Sequence, residues 1–96
     1  MPHPLFVLNG SNLNMLGVRE PGLYGTTTLA EIEQRTCQLA ESLGLACDFR
    51  QTNHEGVLVD WIQEADERAD AVCINPGAYG HTSIALHDAI RAISKP

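Results

Sequence analysis

The run Ala71-Val72-Cys73-Ile74-Asn75-Pro76-Gly77-Ala78-Tyr79-Gly80-His81-Thr82-Ser83 decides how this chain folds. Its four leading apolar residues are too few for a helix and suit a central strand covered on both faces of a parallel sheet. They open at once into a loop of small residues, an amide, an imidazole and hydroxyls. A third helix is expected to start near Thr82 or Ser83 and to carry Leu86, Ile90 and Ile93. Leu5-Phe6-Val7-Leu8 opens in the same way into Asn9-Gly10-Ser11-Asn12-Leu13-Asn14, and the loop runs on to Tyr24 and Gly25. Between these runs, Leu45, Cys47 and Phe49 alternate with Ala46, Asp48 and Arg50, the pattern of a strand with one wetter face. The polar stretch Gln51-Thr52-Asn53-His54-Glu55 follows it.

Two helices fill the intervals. Thr28-Leu29-Ala30-Glu31 has the form of a capping box, in which the hydroxyl and the carboxylate satisfy orphan amides reciprocally. Leu29, Ile32, Thr36, Leu39 and Leu43 recur at helical spacing, and Gly44 is a stop. Leu58, Trp61, Ile62, Ala65 and Ala69 form the apolar stripe of the next helix. Strand–helix–strand units of this length cross over right-handed and give a parallel sheet. The expected architecture is therefore α/β, a doubly wound, flavodoxin-like sandwich, with residues 1–96 as a single domain of three strand–helix units. The polar residues collect in the three strand-to-helix loops, while the links at Gly44 and around Asp70 are short and bland. Ligands bind at that carboxyl edge of such sheets. Ser94-Lys95-Pro96 reads as the turn before another strand, so the sheet is expected to carry an edge for further chain or a partner to cover.

Composition narrows the chemistry. A domain of 96 residues is expected to bury only about 60–65% of its unfolded surface. Twelve acidic residues against six basic ones give a net charge of −6, which argues against nucleic acid or an anionic membrane as partner. No apolar stretch reaches the length of a membrane span and no signal pattern opens the chain, so a cytoplasmic location is expected. Without G-x-G-x-x-G or a Walker loop there is no reason to expect a nucleotide, and no metal cluster stands in either loop, so no cofactor is expected. No serine sits in a G-x-S-x-G elbow. Lys95 is the single lysine and lies next to the end, which removes a Schiff-base mechanism. Cys37, Cys47 and Cys73 are odd in number and widely spaced, and read as buried inert thiols.

Several residues have two readings on sequence alone. Tyr24 lies five residues after Arg19, in a loop with Gly17, Gly22 and Gly25. Either the phenol packs on the domain while Arg19 is solvated, or the guanidinium stabilises a phenolate and makes Tyr24 a base. Asn9, Asn12 and Asn75 are either turn residues or amides that meet ligand hydroxyls. His81 binds substrate or decorates its loop. His54 reads as solvated or a cap, His87 as structural, and Asp88 and Glu55 as solvated helix carboxylates.

The run Leu8-Asn9-Gly10-Ser11-Asn12-Leu13-Asn14-Met15-Leu16-Gly17-Val18-Arg19-Glu20-Pro21-Gly22-Leu23-Tyr24-Gly25 resembles the signature of type II 3-dehydroquinate dehydratases. Gln51-Thr52-Asn53-His54-Glu55-Gly56 and Ile74-Asn75-Pro76-Gly77-Ala78-Tyr79-Gly80-His81-Thr82-Ser83 are similar to that family's next two blocks. The resemblance implies a flavodoxin-like, cofactor-free and metal-free lyase of the shikimate pathway, which leads to chorismate and the aromatic amino acids. Its reaction turns 3-dehydroquinate into 3-dehydroshikimate by anti elimination through an enolate. Tyr24 then matches the base that takes the proton beside the ketone, and Arg19 the group that lowers its pKa and closes the lid. Asn12 matches the amide that helps hold the water stabilising the enolate. Asn75 and His81 match residues that bind the substrate hydroxyls, Gly77 a position allowing close approach, and Asp88 an acid reaching a neighbouring subunit's site. Homo-oligomers, trimers stacked into dodecamers, are implied as well.

Members of the family run on into another strand and a last helix, which carry the histidine that protonates the leaving hydroxyl. That segment also carries contacts to the substrate carboxylate and a second arginine. None of these has a counterpart here, so the expectation is a catalytic domain missing its C-terminal strand and helix. The alternative is a truncated non-catalytic remnant or an oligomerising binding module. A flavodoxin-like electron carrier rests on fold analogy alone.

Overall fold

The computed structural model describes residues 3–96. Strands β1 (Leu5–Asn9), β2 (Cys47–Gln51) and β3 (Ala71–Asn75) form one parallel sheet in the order β2-β1-β3. The register sets Leu5 beside Cys47 and Ala71, and Asn9 beside Gln51 and Asn75. All three strands therefore end at one level, and their polar loops leave the sheet together. The chain passes from β1 through the helix Leu29–Ser42 to β2 on one side, then through the helix Glu55–Arg68 across β1 to β3 on the other, so the order reverses at β1.

The helices begin and end where local chemistry directs. Helix α1 (Pro21–Tyr24) is a single turn within the first loop. Helix α2 (Leu29–Ser42) starts at Thr28, whose hydroxyl accepts from the Glu31 amide at 3.2 Å. It stops before Gly44, whose φ of 76° is the left-handed conformation a C-terminal glycine supplies. Helix α3 (Glu55–Arg68) places an acid in its first turn and a base in its last, complementing the helix dipole. Helix α4 (Tyr79–Thr82) is again one turn. Helix α5 (Ile84–Ala92) is capped by Ser83, which is 3% exposed and accepts from the Leu86 amide at 3.0 Å. Among the described residues no helix is long and apolar enough to cross a membrane.

The core joins Phe6 and Leu8 of β1 to Leu58, Ile62 and Ala65 of α3, Ala69 beyond it, and Leu86 and Ala89 of α5. Ile90, expected in the apolar stripe of the last helix, is half exposed, and Ile93 lies past the helix end. Leu86 faces the core as expected, Ala89 joins it, and Ile93 packs against the core from beyond the helix.

Among the described residues β1 lies between the other two strands and β3 pairs with β1, with Cys73 and Asn75 exposed. One expectation is corrected: Cys73 is not a buried thiol. Cys37 and Cys47 are half-buried, and the Cys47 thiol is pushed up to about 11, first by burial and then by Cys37 beside it. The chain beyond α5 passes α3 and reaches β3 at Pro96. The Pro96 carbonyl accepts from the Val72 amide at 2.8 Å, and Ser94 donates to Asp66 through both its amide and its hydroxyl.

Arg50, placed by its alternation on the wetter face of β2, is half-buried. Its guanidinium lies 4.4 Å from the centroid of the Phe6 ring and 5.4 Å from that of Trp61. It donates to both oxygens of Asp48 and to Glu64, which clamps β2 to α3.

Candidate active site

Two loops meet above the sheet because neither can carry a side chain at the contact. A Cβ at Gly10 would stand 2.2 Å from the Pro76 carbonyl oxygen. One at Gly77, where φ is +62°, would stand 2.7 Å from the Ser11 carbonyl oxygen. The Gly10 amide donates to the Asn75 carbonyl at 2.8 Å, so the contact continues the sheet beyond its last register pair.

This close approach leaves a cleft of about 500 Å³ between the first and third loops. Ser11, Asn12, Leu13, Leu16, Arg19 and Tyr24 form one wall, and Gly77, Ala78 and His81 the other. Five of the residues singled out from the sequence are brought together: Asn12, Arg19, Tyr24, Gly77 and His81. Asn75 and Asp88 do not line the cleft. Asn75 turns its Oδ1 back to accept from the Gly77 amide at 3.2 Å, holding the third loop in shape. Asp88 is exposed on α5. A shallower cleft of about 320 Å³ adjoins on the other side of His81, between α4 and α5, and reaches His87 and Arg91.

Within the cleft the Arg19 guanidinium carbon lies 4.6 Å from the Tyr24 ring centroid. Arg19 also lies 3.6 Å from the Glu20 carboxylate. Both side chains are partly exposed, which leaves the phenol within reach of a ligand. Phenol, guanidinium, amides and imidazole around a wet cleft suit a small polar molecule bearing hydroxyls. Among the described residues no group of three or more His, Cys, Asp or Glu side chains is arranged to hold a metal ion.

The sequence did not single out the residues that join the loops. The Asn53 Oδ1 accepts from the Asn12 amide at 2.9 Å. The Gln51 amide donates to the Gly10 carbonyl at 3.2 Å and to Asn53 Oδ1 at 3.2 Å. The Tyr79 hydroxyl donates to the Asn53 carbonyl at 2.9 Å. Their loop was marked as polar, but nothing local says which amide will meet a partner 41 residues away.

The family model for dehydroquinase class II matches residues 3–96. The 3-dehydroquinate dehydratase of Rhizobium meliloti is 64% identical over 96 residues, covering 100% of this chain and 65% of that protein. The crystal structure of type II dehydroquinase from Propionibacterium acnes superposes with a TM-score of 0.91 at 41% identity, covering 100% of this chain and 66% of that one. That of type II dehydroquinase from Butyrivibrio crossotus gives 0.89 at 38% identity, covering 98% and 68%. The chain thus spans about 65% of the length of the curated relatives it matches.

Proposed function

The chain belongs to the class II dehydroquinase family, and from that membership we propose that its cleft serves the dehydration of 3-dehydroquinate to 3-dehydroshikimate. This is a cytoplasmic step of the shikimate pathway, run by side chains alone. Tyr24 removes the proton from the carbon beside the ketone. The electrons move onto the ketone oxygen as an enolate, then return to expel the hydroxyl group from the opposite face, which takes its proton from solvent and departs as water.

The observation that carries the reading is the Arg19 guanidinium 4.6 Å from the Tyr24 ring, facing His81 and Gly77 across one cleft. In this reading Arg19 stacks on the phenol ring and holds it at the cleft. Asn12 stands on the same wall, placed to hold a water against the enolate oxygen, which is where negative charge develops. His81 offers its imidazole to the substrate hydroxyls, and Asn75, bonded to the Gly77 amide, supports the loop that carries it. Gly77 lets the ring approach the backbone. None of these residues is assigned to protonate the departing hydroxyl. The test is the ultraviolet absorbance of the purified protein with 3-dehydroquinate. Growth of the conjugated enone band supports the reading, and a flat trace from folded protein overturns it.

A second reading is an oligomerising module without turnover. Leu39, Leu43 and Ile84 are 62%, 67% and 85% exposed, more apolar surface than a monomer needs to show. The first reading places the chain in homo-oligomers, as trimers built into a dodecamer with Asp88 reaching a neighbour's cleft. Light scattering separates the two: a defined dodecamer supports the first, and aggregation or an unfolded monomer supports the second.

A further inference from the structure

We propose that Asn53 is a positioning residue for the reaction proposed above: it touches no substrate and holds Asn12 and the third loop in mutual register. The inference rests on that reading of the cleft. Asn53 lies beyond the end of β2, outside the cleft walls. It is nevertheless bonded to both loops that form them. Its Oδ1 accepts from the Asn12 amide at 2.9 Å, and its backbone carbonyl accepts from the Tyr79 hydroxyl at 2.9 Å. A backbone N–H can only donate, so the atom facing Asn12 must be the side-chain oxygen. The Gln51 amide donates to that same oxygen at 3.2 Å, which keeps the Asn53 side chain from rotating away. The middle loop is itself anchored, because the Thr52 amide donates to the Asn9 carbonyl at 3.0 Å.

Asn12 needs this support. Its φ of 67° and ψ of −1° are left-handed, a conformation that asparagine tolerates better than most residues but that the bond to Asn53 pins in place. Asn12 begins the turn Leu13–Met15, so a change in its backbone would redirect its own amide and shift Leu13 and Leu16 in the wall. Misplacing a catalytic group by about 1 Å can cost roughly 100-fold in rate. In the proposed reaction Asn12 acts on the enolate, so its misplacement lowers kcat. Substrate affinity depends more on His81.

The test compares Asn53→Leu and Asn53→Ala, which remove the acceptor, with Asn53→Asp, which keeps it. Steady-state turnover of 3-dehydroquinate is expected to show kcat down roughly 10- to 100-fold in the first two, with KM little changed and kcat largely restored in Asn53→Asp. Unchanged kcat in Asn53→Leu, or a rise in KM alone, overturns the proposal. A second readout does not depend on turnover: hydrogen exchange of the Asn12 amide by NMR, in chains with matching circular dichroism. Slow exchange in the unmodified chain and Asn53→Asp, with fast exchange in Asn53→Ala, is the expected result. Equal exchange in all three overturns the proposal. An unmodified protein that is inert towards 3-dehydroquinate overturns the reaction, and the exchange data then decide Asn53 independently.

Discussion

The guanidinium carbon of Arg19 stands 4.6 Å from the centre of the Tyr24 ring, although α1 begins between them. The left-handed Glu20, with φ of 37°, turns the chain so that the two side chains face each other. Tyr24→Phe removes one hydroxyl from a half-exposed ring and leaves that stacking in place. Turnover is expected to fall by roughly 100- to 10,000-fold, the range lost with a general base. The melting temperature should stay within a degree or two of the parent, since surface changes stay within about 0.5 kcal/mol. Retained turnover in Tyr24→Phe would remove the base from the account.

Gly77→Ala meets two penalties at once, a positive φ and a Cβ 2.7 Å from the Ser11 carbonyl oxygen. A loss of about 1–3 kcal/mol is expected in urea denaturation, together with loss of the cleft's binding capacity. Gly22→Ala is the control, because a Cβ there meets nothing within 4 Å. It should be neutral, or stabilising by up to about 1 kcal/mol.

Acid should weaken the fold through Glu64 and Asp66. The Arg50 guanidinium bonded to Glu64 holds its carboxyl below the ordinary value of 4.5. The Ser94 amide and hydroxyl do the same for Asp66 below 3.8. The unfolded chain therefore binds protons first. The stabilisation is complete above the ordinary values and is lost as pH falls through the lower folded ones. Denaturation midpoints should drop as pH falls below about 5, and Glu64→Gln should flatten part of that slope. An unchanged slope would mean the Arg50 clamp contributes no pH-dependent stability.

Thiol chemistry should separate the cysteines. Alkylation needs the thiolate, and the Cys47 thiol sits at about 11 behind its burial while Cys73 is exposed on β3. Iodoacetamide at about pH 8 is expected to label Cys73 before Cys47, read by peptide mass spectrometry. Labelling of Cys47 first would contradict its placement between α2 and β2.

What was legible in the sequence was local. The Thr28 cap, the Gly44 stop and the stripe from Leu58 to Ala69 each depend on neighbours within a turn or two, and the structure repeats them. The order β2-β1-β3 was not legible, because strand order is decided by crossovers rather than by the apolarity of any one run. Arg50 reads as a solvent-facing residue in its alternation, and only packing against Phe6 and Trp61 makes it a clamp. Of the site, the motif residues Asn12, Arg19, Tyr24, Gly77 and His81 meet in one cleft. Asn53 escaped notice because its partners, Asn12 and Tyr79, lie 41 and 26 residues away.

The central claim is that this cleft forms the enolate of 3-dehydroquinate with Tyr24 as its base. Proton NMR of 3-dehydroquinate in deuterium oxide, with the purified protein, tests it most directly. Loss of one signal beside the ketone, by exchange or by dehydration, faster than in buffer and abolished in Tyr24→Phe, is the predicted result. A rate equal to buffer from folded protein, or undiminished loss in Tyr24→Phe, would contradict it.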